Sequence, residues 1–334
     1  MRSAAVMTAL LGLLAAPLPA HGDAAMLSGE LSLTSGYSKT GGWTSEVRGA
    51  PRNGAGFEYF RRFSGAAGDI LTLDVQARVT YDSSQDDAAW GVELHSVWVE
   101  RKLGLGKNMI VGHFSPAHGL EPVVDTHGEV LQTLAMQDLG FKKDWGVGYR
   151  GILGPYDVTF AGQLGSGMGI RLDDGSFLAT AQAWEPPGDG FRYGVSLAAG
   201  RVLESRGAWT LPAPEFGSVV SKFRGGAAFT ASTGSFEYAG ELTVGTDDGT
   251  AVAGALLQTS YVVPSMQELR LELQTLSWSG DLDDRVARAT TVTAGVAWQA
   301  TPDLALRAYV RGDVEGPGED GDASAVLQAY YLGG

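Results

Sequence analysis

The chain has 334 residues, of which 44% are hydrophobic, and its 24 basic and 38 acidic side chains give a formal net charge of −14. It contains no cysteine, which excludes disulfide bonds and thiolate metal sites. The net acidity argues against a nucleic-acid partner, because the phosphate backbone is itself negative.

The first twenty residues have the pattern of a secretory signal peptide. Arg2 supplies a short positive region, and the stretch from Ala4 to Leu18 is apolar. This run is too short for a membrane-spanning helix, and no second apolar stretch of about 18 residues follows. We therefore expect residues 1–20 to be a signal peptide, with cleavage after Ala20 or Ala24, and residues 25–334 to form one exported domain.

Alternation with period two dominates the rest of the chain. In ILTLDVQARVTYD, residues 70–82, apolar side chains share one face and polar side chains the other, as in a strand with one apolar face. Such runs occur at 27–38, 54–64, 70–81, 89–103, 108–114, 145–152, 156–165, 177–184, 191–203, 221–232, 236–246, 251–263, 267–279, 286–299, 304–313 and 324–332. Most are long enough to cross a bilayer when tilted, which takes about 9–11 residues.

The connections between these sixteen runs alternate in length. Short turns such as 104–107 and 233–235 alternate with eight longer segments, which include 115–143, 204–220 and 247–250. Short turns at one end, long loops at the other and an even strand number are typical of outer-membrane barrels. The sequence therefore predicts an all-β, sixteen-stranded transmembrane antiparallel β-barrel.

The longest connection, 115–143, also has a helical pattern. Thr126 and Glu129 form a possible capping box, and Val130, Leu131 and Leu134 follow at helical spacing. A short helix is therefore predicted in this third loop.

The segments VGHFSPAHGLE (111–121) and DLGFKKDWGVGY (138–149) resemble the phosphate-selective porin O and P family. The resemblance implies a trimeric, sixteen-stranded porin whose third loop folds into the barrel and lines its constriction. The lysines that select anions in that family have no clear match here, since the third loop holds only Lys142 and Lys143.

The third loop supplies the candidate constriction residues. They are His113, His118, Glu121, Asp125, His127, Lys142 and Lys143. With His95, these histidines and carboxylates could also form a metal site, but their spacing matches no closed zinc motif, and no metal is expected. Pore-lining polarity and ordinary loop packing are the other interpretations.

Strand phase predicts which charges face the lumen. The candidates are Arg78, Arg150, Arg224, Arg270, Arg307, Arg311, Glu93 and Glu272. Opposed charges would create a field across the pore. Pairing between neighbouring strands would instead neutralise them locally.

These patterns indicate an outer-membrane porin without enzyme activity or cofactor, passing small hydrophilic solutes or ions by diffusion. The expected partners are outer-membrane lipid and two further copies of the chain. One alternative is a barrel hydrolase that uses His118 or His127 with Asp125 at the outer rim. Another is a soluble secreted β-protein binding glycan or metal, which would bury the apolar strand faces in a core.

Overall fold

The computed structural model describes residues 24–39, 42–44, 51–66, 68–82, 89–124, 126–137, 139–167, 175–188, 190–203, 219–282, 285–315 and 323–334. The expected signal peptide and the candidate Asp125 lie outside these ranges.

Sixteen long strands account for most of the described residues. They are β1 (Ala24–Ser38), β2 (Asn53–Gly65), β3 (Gly68–Asp82), β4 (Ala89–Gly104), β5 (Lys107–Phe114), β6 (Asp144–Leu153), β7 (Tyr156–Gln163), β8 (Phe177–Trp184), β9 (Phe191–Leu203), β10 (Val219–Thr233), β11 (Phe236–Asp247), β12 (Thr250–Val262), β13 (Leu269–Leu282), β14 (Arg285–Thr301), β15 (Leu304–Glu315) and β16 (Ala323–Gly333). Each overlaps one predicted run, so the strand prediction is confirmed.

The strands form a closed antiparallel barrel. Each pairs with its neighbours in the chain, and β1 pairs with β16 from Gly29 opposite Gly333 to Ser38 opposite Ser324. A three-residue strand, Gly42–Thr44, folds back on the end of β1. Among the described residues no helix has the length and apolar character needed to cross a bilayer.

The two faces of the barrel wall differ in polarity. In β1 the polar residues Glu30, Ser32 and Thr34 point inward and are buried. Leu27 and Leu33, on the other face, are 62% and 53% exposed. Because successive side chains of a strand point to opposite faces, this alternation repeated around the barrel gives a polar interior and an apolar exterior.

The third loop, residues 115–143, packs inside the barrel. Leu120, Leu134 and Leu139 form an apolar cluster with wall residues that include Trp184 and Leu256. Burial of these leucines supplies the hydrophobic free energy that holds the loop against strands β8 to β13.

The helix in this loop differs from the prediction. A four-residue 3-10 helix spans Leu134–Gln137, whereas Thr126 and Glu129 lie in a turn closed by a hydrogen bond from the Glu129 N–H to the Thr126 carbonyl. The Thr126 hydroxyl donates to Glu121, and the Glu129 carboxylate pairs with Arg307. Both capping side chains are therefore engaged by tertiary partners, which a local pattern does not reveal.

The connection 247–250, expected among the longer loops, is a two-residue hairpin turn. Asp247 pairs with Thr250, and the central residues Asp248 and Gly249 have φ angles of 44° and 89°. Positive φ at both positions is the type I′ geometry that Asp-Gly favours. The alternation of short and long connections is thus interrupted between β11 and β12.

Candidate functional site

One side of the third loop is held by charged residues of the barrel wall. The His127 Nε2 lies 2.7 Å from a carboxylate oxygen of Glu30 on β1, and the His127 ring lies 3.8 Å from the ring of His95 on β4. Arg78 on β3 approaches Glu30 at 3.5 Å and donates to Glu93 at 2.6 Å. These buried groups form a cluster, here called the loop anchor, comprising Glu30, Arg78, Glu93, His95 and His127.

A second set of contacts lies within the loop itself. The Lys142 ammonium is 2.8 Å from Glu121, and the Thr133 hydroxyl donates to the same carboxylate at 2.7 Å. Lys142 also donates to the Thr126 hydroxyl. Glu121 and Lys142 thus fasten the two ends of the loop together. Lys143 contacts the barrel wall, where its ammonium lies 3.5 Å from the Ser96 hydroxyl on β4.

His113 and His118 are fully buried. The His113 ring, at the end of β5, lies 5.1 Å from the ring of Trp145. His118 meets Phe141 edge-on at 5.6 Å, and a Cβ added to Gly226 on β10 would lie 3.4 Å from its Nε2. Burial, together with the nearby guanidinium of Arg224, lowers the pKa of His118 to about 4. His118 is therefore neutral at physiological pH.

Inward polar side chains bind the loop backbone. Thr180 and Ser196 accept hydrogen bonds from the N–H groups of Ala117 and Gly119 at 3.1 and 3.2 Å. Similar bonds run from the side chains of Gln182, Gln274 and Arg307 to the carbonyls of Gly119, Gln132 and Gly128, at 2.6, 3.0 and 3.0 Å.

The carboxylate of Glu241 on β11 accepts from the N–H groups of Leu120 and Leu134. Among these loop-binding residues, Thr180, Gln182, Ser196 and Gln274 were not predicted from the sequence. Their only sequence signal is an inward polar residue in mid-strand.

A cavity of about 930 Å³ lies between the loop and the wall formed by β9 to β15. Residues of two short turns, Pro187 and Gly188 in one and Gln267 and Glu268 in the other, line it, so it opens at the short-turn end of the barrel. Glu129, Gln132 and Thr133 line it from the loop.

Three predicted lumen charges, Arg270, Glu272 and Arg307, line the same cavity. The described constriction candidates are not among its lining residues, since His113, His118, Glu121, His127, Lys142 and Lys143 occupy the packed side of the loop.

Each predicted lumen charge has a nearby partner. The pairs are Arg78–Glu93 at 2.6 Å, Arg150–Glu100 at 3.0 Å, Arg224–Asp247 at 2.5 Å, Arg270–Glu237 at 2.8 Å, Arg307–Glu129 at 2.6 Å and Arg311–Asp313 at 3.7 Å. Glu272 accepts from the hydroxyls of Tyr309 and Ser260. Local pairing, rather than two opposed rows of free charge, is the arrangement these side chains adopt.

The metal interpretation finds no geometric support in the described part of the chain. No three His, Asp or Glu side chains among those residues are grouped closely enough to hold a metal ion.

Comparison with known proteins identifies the fold. No family model and no curated protein matches the sequence. Among solved structures, the trimer form of OmpT, an outer membrane protein of Vibrio cholerae, is similar with a TM-score of 0.66 at 12% identity, covering 93% of this chain and 100% of that one.

Two further solved structures agree. An anion-selective porin from Comamonas acidovorans gives a TM-score of 0.62 at 11% identity, over 93% and 99% of the two chains. Salmonella typhi OmpF in complex with daunomycin gives 0.64 at 11%, over 93% and 98%. At these identities the likeness concerns architecture alone, and it establishes that this chain has the sixteen-stranded β-barrel fold found in outer-membrane porins.

Proposed function

We propose that the protein is an outer-membrane porin that lets small hydrophilic solutes or ions diffuse through its lumen. The observation that carries the proposal is the polarity of the wall, apolar outside and polar inside, around a cavity that the third loop narrows. A bilayer favours this arrangement, because lipid contacts the apolar face and water fills the polar interior. No covalent chemistry is part of this function.

The exterior distinguishes this proposal from a soluble secreted β-protein. Outward apolar residues on strands far apart in the barrel are about half exposed, including Leu33 on β1 at 53%, Val147 on β6 at 50% and Leu242 on β11 at 53%. A soluble protein rarely leaves a continuous apolar belt facing water. The same belt suits insertion into outer-membrane lipid.

The constriction is proposed to lie on the β9–β15 side of the lumen. There Glu129, Gln132 and Thr133 of the loop share a cavity with Gln258 and Glu272 of the wall. In this proposal His113, His118, Glu121, His127, Lys142 and Lys143 shape the constriction indirectly, by fixing where the loop lies.

Several finer assignments belong to the same proposal. The chain is proposed to be exported through the signal peptide at residues 1–20 and to assemble into a homotrimer. Membership of the phosphate-selective O and P family rests on the segments 111–121 and 138–149. A trimeric solved relative of the fold, OmpT of Vibrio cholerae, supports the assembly by analogy.

Conductance across a planar lipid bilayer tests the proposal. The chain without residues 1–20, refolded in detergent, should insert and produce discrete current steps, and it should migrate differently on gels before and after heating. A mature chain that is monodisperse without detergent and adds no conductance would overturn the proposal.

A further inference from the structure

The cavity beside the third loop is large enough to hold a small molecule. Its volume of about 930 Å³ falls within the range of roughly 300–1,000 Å³ that small-molecule sites occupy. The loop closes one side of it, and strands β9 to β15 close the other. A solute entering from the short-turn end therefore meets both surfaces before it can pass the loop.

Two ion pairs belong to the lining of this cavity, which also contains the carboxyl groups of Glu268 and Glu272. Arg270 and Glu237 lie 2.8 Å apart near the mouth, and Arg307 and Glu129 lie 2.6 Å apart beside the loop. Each guanidinium already has a carboxylate within contact distance, so its field is largely cancelled a few ångströms away and is further screened by salt. A free ion gains little from either pair.

The same pairs offer many hydrogen-bonding positions to a neutral solute. A carboxylate accepts and a guanidinium donates, and a hydroxyl group can do both. Gln258 and Ser260 add further donors and acceptors next to them. Leu131 and Leu256 contribute an apolar strip to the lining, against which C–H groups can rest.

We propose that this cavity is a binding site for neutral polyhydroxylated solutes of mono- to disaccharide size. The proposal rests on the porin function above and names the solute class of that channel. The ion pair Arg270–Glu237 is assigned as a specificity-determining pair at the cavity mouth.

Sugar-dependent current block tests this assignment. Glucose and sucrose, added to both sides of a bilayer containing single channels, should reduce the ion current with saturation. Polyethylene glycol of matched hydrodynamic size should reduce it without saturation, since it occupies volume but has few hydroxyl donors. Equal, non-saturating effects of sugar and polymer would overturn the assignment while leaving the channel function intact.

A charge-neutral double variant supplies the residue-level test. Arg270→Ala with Glu237→Ala removes one ion pair, whose members are 47% and 48% exposed, so the fold should persist. The half-saturating sugar concentration should rise roughly 5-fold or more, as expected from losing hydrogen bonds of about 1 kcal/mol each.

The matched control is Arg150→Ala with Glu100→Ala, which removes a similar pair at 3.0 Å that does not line the cavity. This control should leave the half-saturating concentration unchanged. Equal shifts in both double variants would contradict the site. Absence of current from the unmodified protein would instead refute the channel itself, and the binding site with it.

Discussion

At the scale of single residues, most charged side chains inside this barrel form ion pairs with nearby side chains. Arg78, only 5% exposed, lies between the carboxylates of Glu30 and Glu93. An unpaired buried charge is strongly unfavourable, so removing one partner costs more than the pair contributes. Strand phase predicted that these side chains point inward. It could not predict every partner, because Glu129, which pairs with Arg307, and His127, which contacts Glu30, come from a loop distant in sequence.

His118 gives a residue-scale prediction about pH. Its pKa is about 4 in the folded loop, whereas an exposed histidine titrates near 6.5. The unfolded chain therefore binds more protons between these values. The stability of the docked loop should be full above about pH 6.5 and should fall as the pH drops toward 4, by on the order of 3 kcal/mol.

The test compares unmodified protein with His118→Gln, which is polar but does not titrate. Protease resistance of the third loop, measured between pH 7.5 and 4.5, should decline more steeply in the unmodified protein. The difference between the two curves isolates His118 from the other titrating groups. Parallel curves would show that its burial does not control docking of the loop.

At the scale of elements, Gly119 shows how closely the third loop approaches the wall. Its φ angle is +65°, and a Cβ built there would lie 1.9 Å from a carboxylate oxygen of Glu241. Gly119→Ala should therefore add backbone strain of about 1 kcal/mol. It should also push the loop off Glu241, which holds the N–H groups of Leu120 and Leu134. We expect faster proteolysis of the loop and a changed single-channel conductance.

Gly154→Ala is the control for that substitution. Gly154 has a φ of +61° in the turn between β6 and β7, and an added Cβ would meet no atom within 4 Å. It carries the same backbone strain without the steric clash. Comparable effects in the two variants would mean that strain alone, and not contact with Glu241, governs the loop.

The elements also show what the sequence determines and what it leaves open. In a strand such as β9, alternate residues face the exterior and the lumen. The resulting period-two alternation of apolar and polar residues therefore located all sixteen strands. The third loop has no such rule. Thr126 and Glu129 satisfy a helical signature locally, yet Glu121 and Arg307 engage their side chains from outside it. Likewise, the histidines resembled a functional cluster because spacing cannot distinguish the packed side of a loop from the side that borders a cavity.

At the scale of the whole molecule, the apolar exterior decides between a membrane protein and a soluble one. Leu197 lies in the middle of β9, faces outward and is 57% exposed. In a soluble barrel, an exposed position of this kind would tolerate arginine with a change within about 0.5 kcal/mol. At the midplane of a bilayer, the same substitution on a barrel surface costs about 2–4 kcal/mol.

Leu197→Arg should therefore destabilise the barrel by about 2–4 kcal/mol when it is folded in phospholipid vesicles and unfolded with guanidinium. Leu105→Arg is the matched substitution, since Leu105 lies in the short turn between β4 and β5 and is fully exposed. At the edge of the bilayer the expected cost is about 0–1 kcal/mol. A large cost at Leu197 and a small one at Leu105 would locate the membrane around the strands. Equal small costs would place both leucines in water and contradict every membrane-dependent step of the proposed function.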